Sequence, residues 1–335
     1  MRSTRGPSPV VAGKAIRAQD VLAPGIAHSG QDTIRSGVPC SPMRTPKPIS
    51  SMLPEAFNAR PSWPFGSCRP NQIGPSKVVD ATAMKRRLLL VDERGTKHLV
   101  REGDRLETDI GIFNLPRRPS PGTILRSHLG RTAFMLEPSI RDYVEKMPRP
   151  TSIPYFEDIG FMLAVAGLRR GQTVVEAGTG SGASALYFSQ AVGPTGRVYS
   201  FEIREDIHRT AVGNLQGFGC RNVELLNDDV RNKPKDLRPD LFFLDLASPS
   251  KYIDLAEESM KPGGMICAFA PFVEEGARCV RKLKALGCFE VRMVEVTHRD
   301  HEVSSYGTRP KTTQTVHTGY LAFARALPAR PGRTD

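Results

Sequence analysis

The sequence predicts an α/β fold, in which helices cover both faces of a parallel sheet that has an antiparallel pair of strands at one edge. Strand-like runs alternate with helical segments between residues 157 and 270, as is typical of βαβ units. Near the end of the chain, Phe289–Val296 and Val316–Ala324 read as strands joined by a polar loop without a helix. Before this region, short strand-like runs separated by Pro- and Gly-rich turns predict a small β domain.

The bulk composition favours a globular protein with a polyanionic partner. Of the 335 residues, 39% are hydrophobic and 24% are charged, and no apolar run reaches the roughly 18 residues that a membrane span requires. The net charge of +12 favours nucleic acid as a partner, although half of this charge lies in residues 1–83. Six cysteines form no CxxC pair, which predicts no metal site and a reducing, cytoplasmic compartment.

Four regions follow from the composition along the chain. Residues 1–83 hold twelve of the 28 prolines and are interpreted as a disordered extension, with a translation start at Met84 or organelle targeting as alternatives. Residues 84–147 form the β-rich domain, which contains a predicted hairpin of 88–91 with 97–100 and ends in a helix over 139–147. Residues 148–328 form the catalytic domain, and 329–335 are a flexible tail.

The glycine-rich loop Glu176-Ala-Gly178-Thr179-Gly180-Ser181-Gly182 lies between the predicted strand 173–176 and the helix 183–192. Glycines there allow the backbone to turn tightly and to approach a ligand closely, beside the free N–H groups of a helix N-terminus. The spacing lacks the extra residue of dinucleotide-binding loops and matches that of methyltransferases. The predicted cofactor is therefore S-adenosyl-L-methionine, whose methionine end the loop would cradle, with Glu176 near its positive charge.

Acidic residues follow the next predicted strands. Glu202, after strand 197–202, is predicted to accept both ribose hydroxyls of the cofactor. Asp229, after strand 223–226, is predicted to accept the adenine amino group, with Asp228 as the alternative. Asp245 ends strand 241–245 at the carboxyl edge, where substrates meet cofactors in such sheets, and is predicted to accept a proton from a substrate amino group.

Residues 84–327 resemble the tRNA (adenine-N1)-methyltransferase family, especially its archaeal members. The resemblance is carried by the segments 108–112, 176–182, 198–205 and 244–246, and above all by the long run from Arg309 to Arg325. It implies a Rossmann-like class I methyltransferase domain after a small β domain, a homotetramer, and methylation of adenine 58 in the T loop of tRNA.

The resemblance also implies roles for two residues. Asp245 takes the place of the catalytic aspartate, and it lies beside the cofactor as well. Tyr155 falls where the family has an aromatic or His side chain that contacts the target base. The chain departs from the family pattern at Phe156, Glu157, Ala247, Phe269, Glu274 and Glu275, around the predicted substrate pocket. A methyltransferase acting on another RNA, a protein or a small molecule is the alternative, and a non-enzymatic RNA-binding subunit is a third reading.

Overall fold

The structure is a computed structural model that describes residues 87–313, 315 and 317–327. The predicted extension 1–83 and tail 329–335 lie outside the described residues. All described residues belong to one compact unit, and the predicted domain boundary at residue 148 stays a prediction. No helix in the described part of the chain is long and apolar enough to cross a membrane.

Residues 87–136 form two small antiparallel sheets. Their strands are β1 Arg87–Asp92, β2 Lys97–Arg101, β3 Arg105–Thr108, β4 Gly111–Asn114, β5 Ile124–Arg126 and β6 Thr132–Leu136. The first sheet has the order β2-β1-β6-β5, and β3 pairs with β4. The predicted hairpin is confirmed, because β1 pairs with β2 and Gly95 in its turn has a φ of +83°. Side chains of both sheets share one core, which includes Leu90, Phe113 and Met135.

Seven strands between residues 173 and 325 form one sheet. Its strands are β7 Thr173–Ala177, β8 Arg197–Phe201, β9 Val223–Leu226, β10 Leu241–Asp245, β11 Met265–Ala270, β12 Phe289–Glu295 and β15 Tyr320–Arg325. They lie in the order β12-β15-β11-β10-β7-β8-β9. Strands β7 to β11 are parallel, whereas β15 is antiparallel to both β11 and β12. The predicted parallel sheet with an antiparallel edge pair is confirmed.

Six α-helices complete the part of the fold that the structure describes: α1 Ile140–Lys146, α2 Phe156–Ala166, α3 Ala183–Val192, α4 Glu205–Phe218, α5 Ile253–Ser259 and α6 Val273–Ala285. Successive residues of β10 show how helices cover both faces, because side chains alternate along a strand. Phe242 is buried in a cluster with Ala256 of α5 and Leu283 of α6. Phe243 is buried in another cluster with Met162 of α2 and Phe188 of α3.

Two expectations about the edge pair are wrong in detail. The predicted polar loop contains a hairpin of β13 His301–Ser304 and β14 Gly307–Pro310. Its strand residues are almost all exposed, so no alternation of apolar and polar residues marks them in the sequence. The last strand begins at Tyr320 rather than at residue 316, which lies outside the described residues.

Candidate functional site

The glycine loop connects β7 to α3 at the carboxyl edge of the sheet. Gly178, Gly180 and Gly182 have φ values of +93°, +52° and +84°, in the left-handed region that favours glycine. A Cβ atom on Gly178 would lie 1.9 Å from the carbonyl oxygen of Asp245. The loop therefore passes so close to the end of β10 that no side chain fits at this position.

A cavity of about 330 Å³ opens beside this loop and is called here the glycine-loop cavity. Five residues predicted from the sequence line it: Gly178, Gly180, Glu202, Asp229 and Asp245. Asp245 and Glu202 lie at the ends of β10 and β8, and the other three lie in the loops after β7 and β9. The parallel order of β10, β7, β8 and β9 brings these ends to one edge, which explains why residues distant in sequence meet there.

Glu202 follows β8 and is only 7% exposed. Its Oε2 accepts a hydrogen bond from the backbone N–H of Gly180 at 3.0 Å, and its Oε1 accepts one from the N–H of Arg204 at 3.0 Å. Glu202 thus holds the glycine loop to the end of β8. Each carboxylate oxygen has a further lone pair, so the side chain can still accept hydrogen bonds from hydroxyl groups.

Asp229 and Asp228 both line the glycine-loop cavity. The two oxygens of Asp229 accept hydrogen bonds from the Arg231 guanidinium at 2.9 and 2.7 Å. This contact lowers the pKa of Asp229, which keeps it a carboxylate and a hydrogen-bond acceptor. Asp228 accepts a hydrogen bond from Asn232 at 2.7 Å. Because both acids have a local partner, the choice between them for the adenine amino group stays a prediction.

Glu176 lies behind the wall of the cavity and is completely buried. Its Oε2 accepts a hydrogen bond from the Ser200 hydroxyl, which in turn lies 2.6 Å from the hydroxyl of Thr179. Its Oε1 has no hydrogen-bond partner among the described residues. Burial, together with the charges of Asp245 and Glu202, raises the pKa of Glu176 to about 8. The structure thus leaves Glu176 out of the cavity lining.

Three other predicted loop residues are likewise absent from the cavity lining. Thr179 and Ser181 are buried within the loop, and Gly182 directly precedes α3. The Ser181 hydroxyl lies 3.1 Å from that of Thr151, which ties the loop to the segment before α2. These residues shape the loop backbone, and a direct contact with the cofactor stays a prediction for them.

Asp245 ends β10 at the floor of the cavity. Burial, and after it the negative charge of Glu202, raises its pKa to about 7. A carboxyl group with a pKa near neutrality can both take up and release a proton at neutral pH, which is the requirement for general acid–base catalysis. Its contact with Gly178 fixes its position against the loop.

Tyr155 lines a second cavity of about 580 Å³, called here the Tyr155 cavity. The two cavities adjoin, because Thr151 and Ser152 line both. The Tyr155 side of the site combines aromatic rings with arginines: Tyr155 is 45% exposed, and the Arg141 guanidinium lies 3.8 Å from the ring centre of Phe156. The two predicted catalytic residues are therefore in neighbouring cavities.

Sequence reasoning missed several residues of the lining. Thr151 contacts both cavities, and Ile203 and Tyr252 complete the glycine-loop cavity. The position of Ile203 directly after Glu202 could have indicated that it lines the cavity. Nothing in the linker sequence indicated Thr151. Within the described residues, no group of three or more His, Cys, Asp or Glu side chains is placed to hold a metal ion.

The chain is similar to proteins of one RNA-modifying family. Residues 132–307 match the family described as tRNA methyltransferase complex GCD14 subunit. The tRNA (adenine(57)-N(1)/adenine(58)-N(1))-methyltransferase TrmI of Methanocaldococcus jannaschii is 35% identical over 268 residues, which cover 72% of this chain and 95% of that protein. The chain belongs to the tRNA (adenine-N1)-methyltransferase family. The tRNA (adenine(58)-N(1))-methyltransferase TrmI of Thermus thermophilus is 30% identical, over 71% of this chain and 96% of that protein.

Solved structures of methyltransferases share the fold of this family member. A SAM-dependent O-methyltransferase from Thermotoga maritima has a TM-score of 0.68 and 28% identity, covering 77% of this chain and 99% of that chain. The tRNA (m1A58) methyltransferase TrmI of Aquifex aeolicus has a TM-score of 0.62 and 23% identity, covering 73% and 99%. The sheet is therefore the Rossmann-like sheet of class I S-adenosylmethionine-dependent methyltransferases, as the sequence predicts.

Proposed function

We propose that this chain transfers a methyl group from S-adenosylmethionine to N1 of adenine 58 in the T loop of tRNA. The observation that carries the proposal is Asp245, whose carboxyl group has a pKa of about 7 and lies against the glycine loop at the carboxyl edge of the sheet. The family relatives act on adenine 58, and the archaeal relative on adenine 57 as well.

The lining of the glycine-loop cavity fits the proposed cofactor. Gly178 and Gly180 line the cavity, so a ligand in it lies beside the backbone of the glycine loop. Glu202 would accept the ribose hydroxyls and Asp229 the adenine amino group. Glu176, whose pKa of about 8 leaves it largely protonated at neutral pH, lies behind the loop and accepts the hydrogen bond from Ser200 that stabilises the loop. When bound, the cofactor supplies a methyl group activated by a positively charged sulfur.

Asp245 would accept a proton from the target base. As N1 of adenine gains the methyl group, positive charge develops on the ring and makes the exocyclic amino group more acidic. A carboxylate beside that amino group withdraws the proton and offsets the charge, and general base assistance of this kind contributes about 10²- to 10⁴-fold in rate. The pKa of Asp245, about 7, suits this role at neutral pH.

Tyr155 would hold the target adenine. Its side chain is 45% exposed in the cavity that adjoins the glycine-loop cavity, so a base turned out of the T loop can stack on it. Stacking on an aromatic side chain contributes about 1–3 kcal/mol per base. We further propose that the enzyme is a homotetramer and works on tRNA in the cytoplasm, as the family resemblance implies.

The test is to identify the methylated nucleoside. We expect tRNA transcript incubated with the protein and labelled S-adenosylmethionine to contain 1-methyladenosine at position 58, as read by mass spectrometry of nucleosides and fragments. A transcript with guanosine at position 58 is the matched control and should gain no label there. Label on another nucleoside, or equal label in the control, would contradict the proposed function.

A further inference from the structure

The Tyr155 cavity contains an acidic group that the proposed methyl transfer does not use. Glu157 lies in the first turn of α2 and lines the cavity, with its side chain only 10% exposed. Its Oε1 lies 2.9 Å from Nδ1 of His298. Its Oε2 is buried and has no hydrogen-bond partner among the described residues. One carboxylate oxygen is therefore held in place by His298 while the other is left to accept a hydrogen bond.

A buried carboxylate oxygen without a donor is unfavourable, because it has lost its hydrogen bonds to water. The hydroxyl of Thr318, which also lines this cavity, faces the buried carboxyl group of Asp158 and so has an acceptor within the protein. The unpartnered oxygen of Glu157 therefore indicates a ligand that brings a polar atom of its own. Because Glu157 is an acceptor when ionised, that ligand must offer a hydrogen-bond donor.

The remaining lining restricts the class of ligand. Arg141 and Arg149 supply positive charge, and Tyr155, Phe156 and Tyr187 supply aromatic surface. Cations suit phosphate groups, and aromatic rings suit the faces of bases. A carboxylate-bearing ligand would be repelled by Glu157 at the buried end. A nucleotide combines the three requirements, since its phosphate, base face and base edge carry the matching groups.

The position of the cavity indicates which nucleotide of the RNA would bind in it. It shares Thr151 and Ser152 with the glycine-loop cavity, so a ligand in it lies next to the group that reacts at Asp245. Its volume of about 580 Å³ exceeds the 330 Å³ of the glycine-loop cavity, which leaves space beyond a base stacked on Tyr155. Glu157 is more deeply buried than Tyr155, which is 45% exposed.

We propose that the Tyr155 cavity binds the nucleotide directly beside the target adenine, and that Glu157 recognises it by accepting a hydrogen bond from its exocyclic amino group. The inference rests on the proposed function for the choice of RNA. Adenine, cytosine and guanine carry such an amino group, whereas uracil does not. The site therefore discriminates against uracil at one neighbouring position.

The experiment removes the amino group from the RNA rather than only the carboxylate from the protein. T-arm RNA hairpins carry, on the 5′ or the 3′ side of the target adenine, either adenosine or purine riboside, which differ only by the 6-amino group. Binding is measured by fluorescence anisotropy with S-adenosylhomocysteine present. At one of the two positions, loss of the amino group is expected to weaken binding to the wild-type protein about 10- to 100-fold, the range for a hydrogen bond to a charged group.

The variant Glu157→Ala should bind the RNA with adenosine as weakly as the wild type binds the RNA with purine riboside. It should not distinguish these two RNAs. Glu205→Ala is the matched control, because Glu205 is an exposed acid of α4 outside both cavities and should leave the discrimination intact.

Equal binding of both RNAs by the wild type at both positions would overturn the inference and needs no variant to fold. Discrimination retained by folded Glu157→Ala would overturn it as well. Methyl transfer is assayed on the same RNAs, so its absence counts against the proposed function while the binding comparison still decides the role of Glu157.

Discussion

The two adjoining cavities differ in charge. The glycine-loop cavity is lined by the carboxylates of Glu202, Asp228, Asp229 and Asp245 against the single arginine Arg204. The Tyr155 cavity is lined by two arginines, a histidine and three aromatic rings, with its acids Glu145 and Glu157 beside Arg141 and His298. Acceptors therefore dominate one cavity, whereas the other balances two arginines against two acids and adds stacking surfaces.

This difference explains how one edge of a sheet can bring together two reactants of opposite charge. A cofactor with a cationic sulfur, an amino group and hydroxyls is attracted to carboxylates, and polyanionic RNA is attracted to arginines. Asp245 lies in the acidic cavity, and Tyr155 lies in the cavity that contains arginines and aromatic rings. If charge sets the partners, the cofactor should bind in the glycine-loop cavity and the RNA in the Tyr155 cavity.

Replacing Asp245 should give the largest effect, because it removes the proton acceptor and nothing else. Asp245→Asn is nearly isosteric, so we expect cofactor affinity to persist while single-turnover methyl transfer falls by about 10²- to 10⁴-fold. Asp254→Asn, on the exposed face of α5, is the control and should leave the rate unchanged. A near wild-type rate in Asp245→Asn would remove Asp245 from the chemical step.

Replacing Glu202 should weaken binding of the cofactor without a matching loss of RNA binding. We expect Glu202→Ala to reduce S-adenosylmethionine affinity by about 1–3 kcal/mol, since hydrogen bonds to a charged group are lost. The contact of Glu202 with the N–H of Gly180 is lost too, which loosens the loop. Calorimetry measures the affinity, with Glu205→Ala as the control. Unchanged affinity in Glu202→Ala would reject its assignment to the ribose.

Replacing Tyr155 should give the opposite pattern. Tyr155→Ala removes a stacking surface from the Tyr155 cavity, so we expect tRNA affinity to fall by about 1–3 kcal/mol and cofactor affinity to persist. Tyr155→Phe keeps the ring and should retain most of the tRNA affinity. If Tyr155→Ala lowered only cofactor affinity, the division of roles between the cavities would be incorrect.

A change of pH should act on the acidic cavity through Glu176 and Asp245. Their pKa values of about 8 and about 7 lie above the ordinary values of Glu and Asp. The folded state therefore binds protons more tightly than the unfolded chain, and this stabilisation, complete below about pH 4, is lost as the pH rises through 7 to 8. We expect Glu176→Gln to raise the free energy of unfolding at pH 8 by about 1–4 kcal/mol, and by less at pH 5.

Urea denaturation at the two pH values measures this difference. An equal effect of Glu176→Gln at pH 5 and pH 8 would show that Glu176 does not titrate between them. In the same range, single-turnover methyl transfer should rise with pH up to about 7 and then level off, because the carboxylate form of Asp245 is the proton acceptor.

Removing residues 1–83 should have the smallest effect. RNA binding through arginines and lysines weakens steeply with salt, since each phosphate contact releases counterions. The residues of the Tyr155 cavity remain after truncation, so we expect the salt dependence of tRNA binding and the activity to persist. Loss of tRNA binding on truncation would move the RNA-binding surface from the cavity to residues 1–83.

The glycine-loop cavity could be predicted from the sequence because local signals encode it. Apolar runs mark the parallel strands, and each acid follows directly at a strand end, as Glu202 and Asp245 do. The loop glycines mark backbone that only glycine readily adopts. The burial of Glu176 behind the cavity wall could not be predicted, because strand periodicity does not show which end residue faces a ligand.

The Tyr155 cavity could be predicted only in part, and through resemblance rather than pattern. Arg141 belongs to α1 and Glu157 to α2. His298 follows the edge strand β12, and Thr318 precedes its neighbour β15. No spacing rule links residues from four separate segments, and their meeting depends on how the edge pair packs against α2. The exposed hairpin between those strands was missed for a related reason, since it has no buried face.

A structure of the protein with S-adenosylhomocysteine and a T-arm RNA would test the assignment of the two cavities most directly. We predict that the cofactor product lies in the glycine-loop cavity against Glu202. The target adenine should place its amino group beside Asp245, and the neighbouring nucleotide should lie in the Tyr155 cavity. RNA bound on another face, with the Tyr155 cavity empty and no base at Asp245, would contradict the account.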